Sequence, residues 1–364
     1  MSNRNLVPDA KNAAIQPELP LATPGAGLAG EWKRDPADFQ VTELRRDPPD
    51  GAGEHWVLTI EKIDLTTEMV AQWLARTFDR PLAAVGYAGL KDRWATTVQQ
   101  FSIHVPGTAP LPDLATTVLP GLRILDAQRH QRKIRVGHLV GNRFRIRLRD
   151  CHSTPTHRQE AERVADALRH HGIPNWFGPQ RFGRQEDNAA GGRLVLAGQL
   201  REKNRHRRGL LLSAVRSELF NRVLAERMHR GWFQRLLDGD VAQLEGRSAC
   251  FSVSEAVVEQ ERFLRGDIHP TGPLFGSGLL RPEGEPGALE REVATLDAET
   301  VQALEQFGMK GDRRALRVIP KDLELTWEGG DLLLGFTLPK GTFATSLLRE
   351  FLHPLPLREE TAAE

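Results

Sequence analysis

Arg143-Phe144-Arg145-Ile146-Arg147-Leu148-Arg149 alternates without a break between arginine and an apolar side chain. Successive side chains of a strand point to opposite faces. This period of two therefore predicts a strand that sends Phe144, Ile146 and Leu148 into a core and offers four guanidinium groups on its other face. Toward the N-terminus, Gln99 to Val105 reads as a second strand. Asp38 to Leu44 and His55 to Ile60 read as two more, joined by a Pro/Gly-rich turn at Asp47 to Gly53. A helix with Met69, Val70, Trp73, Leu74 and Phe78 on one face follows, with Thr66 or Thr67 as its cap, and Pro81 suits the first turn of a short helix after it. On the other side of the arginine strand a helix is predicted from His157 to His171. Beyond it Gly172 to Pro179, dense in turn residues and aromatics, marks a domain boundary. Residues 172–318 have a mainly helical pattern, Leu210 to Met228 for example, with a Pro/Gly-rich break from Pro270 to Gly287. Strand signals return at Leu323 to Trp327 and Asp331 to Leu338, and a last helix is predicted from Ala344 to Phe351.

Strand-rich ends around a helix-rich middle predict an α/β (α+β) domain interrupted by an insertion. The expected division is residues 25–171 with 319–355 for the interrupted domain and 172–318 for the insertion. Residues 1–24 form a loosely held arm, and 356–364 a tail. A chain of 364 residues also exceeds what one core supports. No apolar stretch is long enough to cross a bilayer, and Met1 to Gly30 lacks a basic stretch followed by an apolar one, so a cytoplasmic protein is expected. With two cysteines, Cys151 and Cys250, a disulfide framework or multi-cysteine metal site is excluded. Cys151-His152 with His157 matches no common zinc spacing, so no metal is expected. The absence of coiled-coil patterning leads us to expect a monomer with no obligate protein partner.

Net charge is only +1, but its distribution is uneven. Ala127 to Arg149 holds eight basic residues and no acid, and Arg201 to Arg208 holds Arg201, Lys203, Arg205, Arg207 and Arg208 against the single Glu202. Such blocks present a face to phosphates, or form an ordinary solvated surface. The loop Gly86-Tyr87-Ala88-Gly89-Leu90-Lys91-Asp92-Arg93-Trp94 places a carboxylate between two cations, which would favour its ionised, nucleophilic form. A Lys-Asp-Arg turn is equally what a surface salt bridge looks like, so residue types nominate Asp92 without deciding for it. Glu186 and Asp187 form a second acidic pair, read as a solvated turn. No Walker loop and no dinucleotide-type glycine loop occurs, since Gly276-Ser277-Gly278 falls in the Pro/Gly-rich break.

Extended to Gln99, the loop resembles the signature of the TruD family of tRNA pseudouridine synthases, Ala-Gly-x-Lys-Asp-x-x-Ala-x-Thr-x-Gln. Ala88, Gly89, Lys91, Asp92, Ala95, Thr97 and Gln99 all fall in register. Similar segments follow in the family's order: Asp38-Phe39-x-Val41, Gly141-Asn142-Arg143-Phe144, Pro174 to Gly183, Leu212 to Asn221, and Leu338 to Thr345. The resemblance implies a pseudouridine-synthase-like catalytic domain with a mixed, largely antiparallel sheet and an inserted domain. It further implies isomerisation of uridine 13 of tRNA, with Asp92 as nucleophile and no cofactor. It places Phe39, Asn142 and Phe343 against the target nucleotide, where an aromatic surface and an amide suit an extruded base. Read alone, Phe39 and Phe343 are equally core residues and Asn142 a turn residue. Phe144 shares the face of Asn142 or packs beneath it. Lys91 is a further substrate-side residue, and Lys33 a weaker candidate to pair with Asp92. Trp94 fills a variable position and would crowd or line the pocket. Trp176 and Phe177 belong to an RNA-stacking platform or, as favoured here, a packed hinge, with Arg181 toward RNA. The rival readings are a non-catalytic RNA-binding protein, in which Asp92 is dispensable, and an RNA methyltransferase.

Overall fold

The computed structural model describes residues 19–45, 47–107, 109–112, 114, 119–183, 187–353 and 355. Strands β1 (Glu31–Trp32), β2 (Phe39–Leu44) and β3 (His55–Ile63) lead into helix α1 (Thr67–Thr77), whose first turn is capped by the Thr66 hydroxyl accepting from Met69 N. A short turn of 3-10 helix (Leu82–Ala84) follows Pro81. Then come β4 (Val85–Tyr87), β5 (Thr96–His104), β6 (Leu122–His130), β7 (Gly141–Arg149) and α2 (Pro155–His171). The middle of the chain contributes β8 (Ile173–Pro174), α3 (Asn188–Leu196), α4 (Arg205–His229), β9 (Val241–Leu244), β10 (Cys250–Ser252), α5 (Ala256–Arg265) and β11 (Ile268–Leu274). It continues through α6 (Gly284–Leu296), α7 (Ala298–Gln306), β12 (Asp312–Ala315) and β13 (Arg317–Val318). The chain closes with β14 (Lys321–Glu328), β15 (Asp331–Pro339) and α8 (Ala344–Phe351).

These elements fall into two compact units. One takes residues 25–169, 320–344 and 351–353; the other takes 19–24, 170–319 and 345–350. In the first, nine strands of the described residues form one sheet in the order β14-β15-β7-β2-β5-β3-β6, with β1 added along β7 and β4 along β5. Only β2 and β5 run parallel; the other pairs are antiparallel. The arginine strand β7 lies inside the sheet, between β15 and β2, and Phe144, Ile146 and Leu148 are buried on one face of it, as the alternation predicts. On that face Leu58, Ile60, Phe101 and Ile103 pack against Val70, Trp73 and Leu74 of α1. Each such fully buried aliphatic side chain contributes about 1.5–3 kcal/mol.

The four arginines of β7 do not all face solvent as a set. Arg149 clamps the buried Asp38 through three contacts of 2.6–3.0 Å, and Arg147 bridges Glu328 and Asp331. Arg143 and Arg145 remain exposed, with no ion pair among the described residues. Lys133 and Arg129 of the same basic block are likewise turned inward, Lys133 to Ala83 O and Arg129 over the ring of Trp56.

The second unit is less purely helical than its pattern predicts. It contains a four-stranded sheet, β10-β9-β11-β12, and its core strand β11 runs into the segment Pro270 to Gly287 read as a Pro/Gly-rich break. Its helices α3, α4, α6 and α7 enclose a core of Leu211, Val215, Leu219, Phe275, Leu289 and Leu304. Glu186 lies outside the described residues, and Asp187 stands at the start of α3. Cys151 is fully buried, and burial pushes its thiol up to about 12, while His157 Nδ1 bonds the carbonyl of His152. No helix among the described residues is long and apolar enough to cross a membrane.

Candidate active site

The loop between β4 and β5 carries Asp92, and its backbone is tied down at four points. Gly137 N donates to Ala88 O (2.7 Å), Gln99 Nε2 to Gly89 O (2.6 Å), Lys91 N to Thr67 Oγ1 (3.0 Å) and Lys62 Nζ to Asp92 O (2.9 Å). Loops that hold reactive side chains need such support, because displacement by an ångström costs orders of magnitude in rate. Ala88 and Ala95 are fully buried at the loop's two ends, which explains why small residues stand there.

The Asp92 carboxylate is 30% exposed, and its Oδ2 lies 2.7 Å from Lys33 Nζ. The flanking cations serve elsewhere, contrary to expectation: Lys91 Nζ reaches inward to Glu43 at 3.1 Å, and Arg93 pairs with Asp64. Side chains of neighbours in an extended loop point apart, so adjacency in sequence did not translate into contact. Lys33 itself adopts a left-handed backbone (φ 56°), a conformation costing a lysine roughly 1–2 kcal/mol. Its ammonium lies 4.3 Å from the ring centre of Phe39 and 5.2 Å from that of Trp32. Trp94, expected to crowd or line the pocket, donates its indole N–H to Lys33 O at 3.1 Å and so helps hold the strained residue.

Phe39 is 5% exposed, in edge contact with Phe144, which stacks on Phe336 at 5.2 Å; Phe144 thus packs beneath the site. Asn142 pairs in register with Glu43 on one side and Leu338 on the other, and its buried Oδ1 has no hydrogen-bond partner among the described residues. Phe343 is half-buried in the loop after β15, at the end of the sheet where Leu338 lies beside Asn142. One face of the sheet therefore carries Lys62, Thr97, Gln99, Glu43 and Asn142 among apolar neighbours, all of them wholly or largely enclosed. Lys62 and Glu43 were not singled out by sequence reasoning, and Thr67 only as a candidate helix cap. A cavity of about 450 Å³ lies nearby, walled by Tyr87, Lys133 and Arg135 among others, but Asp92, Asn142 and Phe343 are not among its walls. We take the polar cluster around Asp92 as the site, because the groups able to do chemistry converge there.

The sequence model of the family described as tRNA pseudouridine synthase D (TruD) matches residues 19–205 and 196–351. The chain belongs to the TruD family. It is 39% identical over 370 residues to a tRNA pseudouridine synthase D of Xanthomonas axonopodis pv. citri, covering 96% of this chain and 95% of that one. It is 42% identical to that of Chromohalobacter salexigens, covering 93% and 97%. In fold it is similar to the crystal structure of a tRNA pseudouridine synthase D (TruD) candidate from Methanosarcina mazei. That likeness has a TM-score of 0.75 at 21% identity and covers 92% of this chain and 96% of that one. Family membership accounts for the sequence segments around Asp92, and the contacts above give each a physical task.

Proposed function

We propose that this chain isomerises a uridine of tRNA, uridine 13, to pseudouridine, with Asp92 as nucleophile. The observation that carries this reading is the Asp92 carboxylate itself: partly exposed, paired to Lys33 at 2.7 Å, and fixed through its own carbonyl by Lys62, in a chain of this family. The carboxylate attacks the uridine at C1′ or at C6. Either way the C1′–N1 bond breaks, the base turns, and a C1′–C5 bond forms as the aspartate leaves. The C5 proton goes to solvent and N1 takes one up, so the reaction is redox-neutral and calls for no group donor. The target base must leave its stack. Once the Lys33 ammonium moves off the ring of Phe39, that ring becomes a stacking surface, with Phe343 as its counterpart. The unsatisfied Oδ1 of Asn142 offers an acceptor to the base's N–H edge. Arg143 and Arg145, exposed on the other face of β7, and the exposed Arg201 to Arg208 segment are available to RNA phosphates.

The test is tritium release from tRNA labelled at C5 of uridine, with wild type and Asp92→Asn in parallel. Release by wild type and none by Asp92→Asn is expected. No release by wild type overturns the activity, and release by Asp92→Asn overturns the nucleophile. Mapping the product in a single tRNA tests position 13.

A further inference from the structure

The second unit uses arginine in two distinct ways. Arg193 pairs with Glu218 and Asp297, Arg222 with Glu218, Arg227 with Asp240, and Arg313 with Glu290, each within about 3 Å of a carboxylate. Arg317 is fully enclosed and spends its donors on Phe263 O, His171 O and His269. Arg181 and Arg216 follow neither pattern. Both are half-buried, and neither forms an ion pair among the described residues. Arg181 donates to Ser217 Oγ at 3.1 Å, and its guanidinium lies 5.4 Å from the ring centre of Phe177. Arg216, the residue before Ser217 on α4, donates Nη2 to Leu274 O and Lys310 O, and its Nε finds no acceptor among the described residues. Arg314 brings a third guanidinium to the same place, 4.2 Å from the ring centre of Phe177, with Nη2 on Asn175 Oδ1 at 2.6 Å.

Rigid neighbours hold this arrangement. Asn221 clamps the Phe177 backbone from both sides, accepting from its N–H and donating to its carbonyl, each at 3.0 Å. Asn175 is fixed by Ala315 O and Leu316 O. The aromatic residues of the segment, Trp176, Phe177 and Phe182, are buried and form no open stacking platform. What the segment presents is positive charge. Gathering like charges in a partly buried place is costly. Burial pulls down all three guanidinium groups, Arg314 to about 9; repulsion from Arg181 adds to this at Arg314, and at Arg216 the nearby Asp312 carboxylate opposes it more than Arg181 adds to it. Arginine does not shed its proton at neutral pH, so Arg181 and Arg216, which form no ion pair among the described residues, keep their charge for an incoming anion.

We propose that Arg181 and Arg216, backed by Arg314, form a binding site for a phosphate of the RNA backbone. Planar forks match phosphate oxygens two at a time, and the site supplies donors from α4 and from the turn at Pro179–Arg181. The ligand being RNA rests on the function proposed above. Binding without turnover keeps the two separable: failure of wild type to bind tRNA sinks that reading, whereas tRNA binding indifferent to these arginines sinks only the site.

The experiment measures tRNA affinity against salt for wild type, Arg181→Gln/Arg216→Gln and Arg216→Lys. For the double variant, affinity should fall about tenfold near roughly 0.1 M salt, and the slope of log affinity against log salt should flatten by about 1. At saturating tRNA its kcat should match wild type while KM rises. Arg216→Lys keeps the charge but not the fork, so it should preserve the salt slope and recover only part of the affinity. Thermal unfolding controls for folding. Unchanged affinity and slope in a folded double variant overturn the proposal. So does a site that answers only to inorganic phosphate, seen as a variant-sensitive stabilisation by phosphate with tRNA affinity unaltered.

Discussion

Replacing Lys62 by methionine exchanges an ammonium for an apolar side chain at a fully buried position, and its consequences for stability and for rate are separable. Burial pulls the Lys62 ammonium from 10.5 to about 8, against an opposing pull from Asp92. The charged form therefore costs the folded chain ~3 kcal/mol at neutral pH. In return Nζ bonds Leu65 O at 2.6 Å and Asp92 O at 2.9 Å, and leaving two such carbonyls unpaired costs about 1–3 kcal/mol each. The two sides nearly cancel, so Lys62→Met should lie within about 2 kcal/mol of wild type at pH 7. Rate is another matter: with Asp92's main chain released, turnover should drop about a hundredfold. The pH dependence isolates the charge. Above pH 8 folded Lys62 loses its proton, whereas unfolded Lys62 keeps it up to about 10.5. The unfolded chain thus binds more protons in that window, and stability attributable to Lys62 rises with pH, starting near 8 and complete near 10.5. Between pH 7 and pH 9.5 wild type should gain about 2 kcal/mol relative to Lys62→Met. Urea denaturation of both proteins at several pH values, with tritium release alongside, provides the assay. Parallel stability curves would refute a charged, enclosed Lys62, and undiminished turnover would refute its hold on Asp92.

Lys33 tests the other support of Asp92. Lys33→Met should lower kcat about a hundredfold, while unfolding free energy changes by less than about 1 kcal/mol, because the carboxylate it pairs with is partly open to solvent. Lys33→Gly should be as inactive yet no less stable, since glycine adopts φ 56° without strain; a clearly less stable glycine variant would count against that strain. Arg149→Met strands the Asp38 carboxylate, which is 1% exposed, and should cost about 3–5 kcal/mol. Adding Asp38→Asn should recover part of this, and a mild single-variant effect in thermal unfolding would show that the clamp is dispensable.

Much of the sheet was legible because its strands alternate cleanly. Arg143 to Arg149, His55 to Ile60 and Asp331 to Leu338 each lie within an observed strand, and the helix from Ala344 to Phe351 is found at those bounds. The sheet of the second unit was hidden for a physical reason. Most of Ile268-His269-Pro270-Thr271-Gly272-Pro273-Leu274 falls in the break read from Pro270 onward, since proline cannot donate to a ladder. The strand survives by changing partners midway. Ile268 to Pro270 pair with β9, and Thr271 to Leu274 with β12. The Thr271 hydroxyl donates to Val241 O at 2.6 Å, supplying a bond where the ladder changes hands. Gly272 is required there, because a Cβ would meet Leu316 and Phe220 at 2.8–3.0 Å. None of these compensations is visible along the sequence, because each depends on a residue far away in the chain.

The site itself had a signal that strand periodicity already contained. In Phe39-Gln40-Val41-Thr42-Glu43 the inward positions are Phe39, Val41 and Glu43, and in Leu58 to Lys62 they are Leu58, Ile60 and Lys62. A charge in phase with core residues is either an error of register or a group enclosed at a cost of several kcal/mol, and evolution tolerates the second where the group is used. Both charges lead to the Asp92 loop: Glu43 receives Lys91, and Lys62 holds the carbonyl of Asp92. Taking Lys91 inward removes it from the carboxylate next to it in sequence, which leaves Lys33 to pair with Asp92. The partner of Asp92 is thus set by a glutamate on β2 that never touches it. Charges that break the alternation of a strand would point to the site from sequence alone, where the charged turn around Asp92 could not.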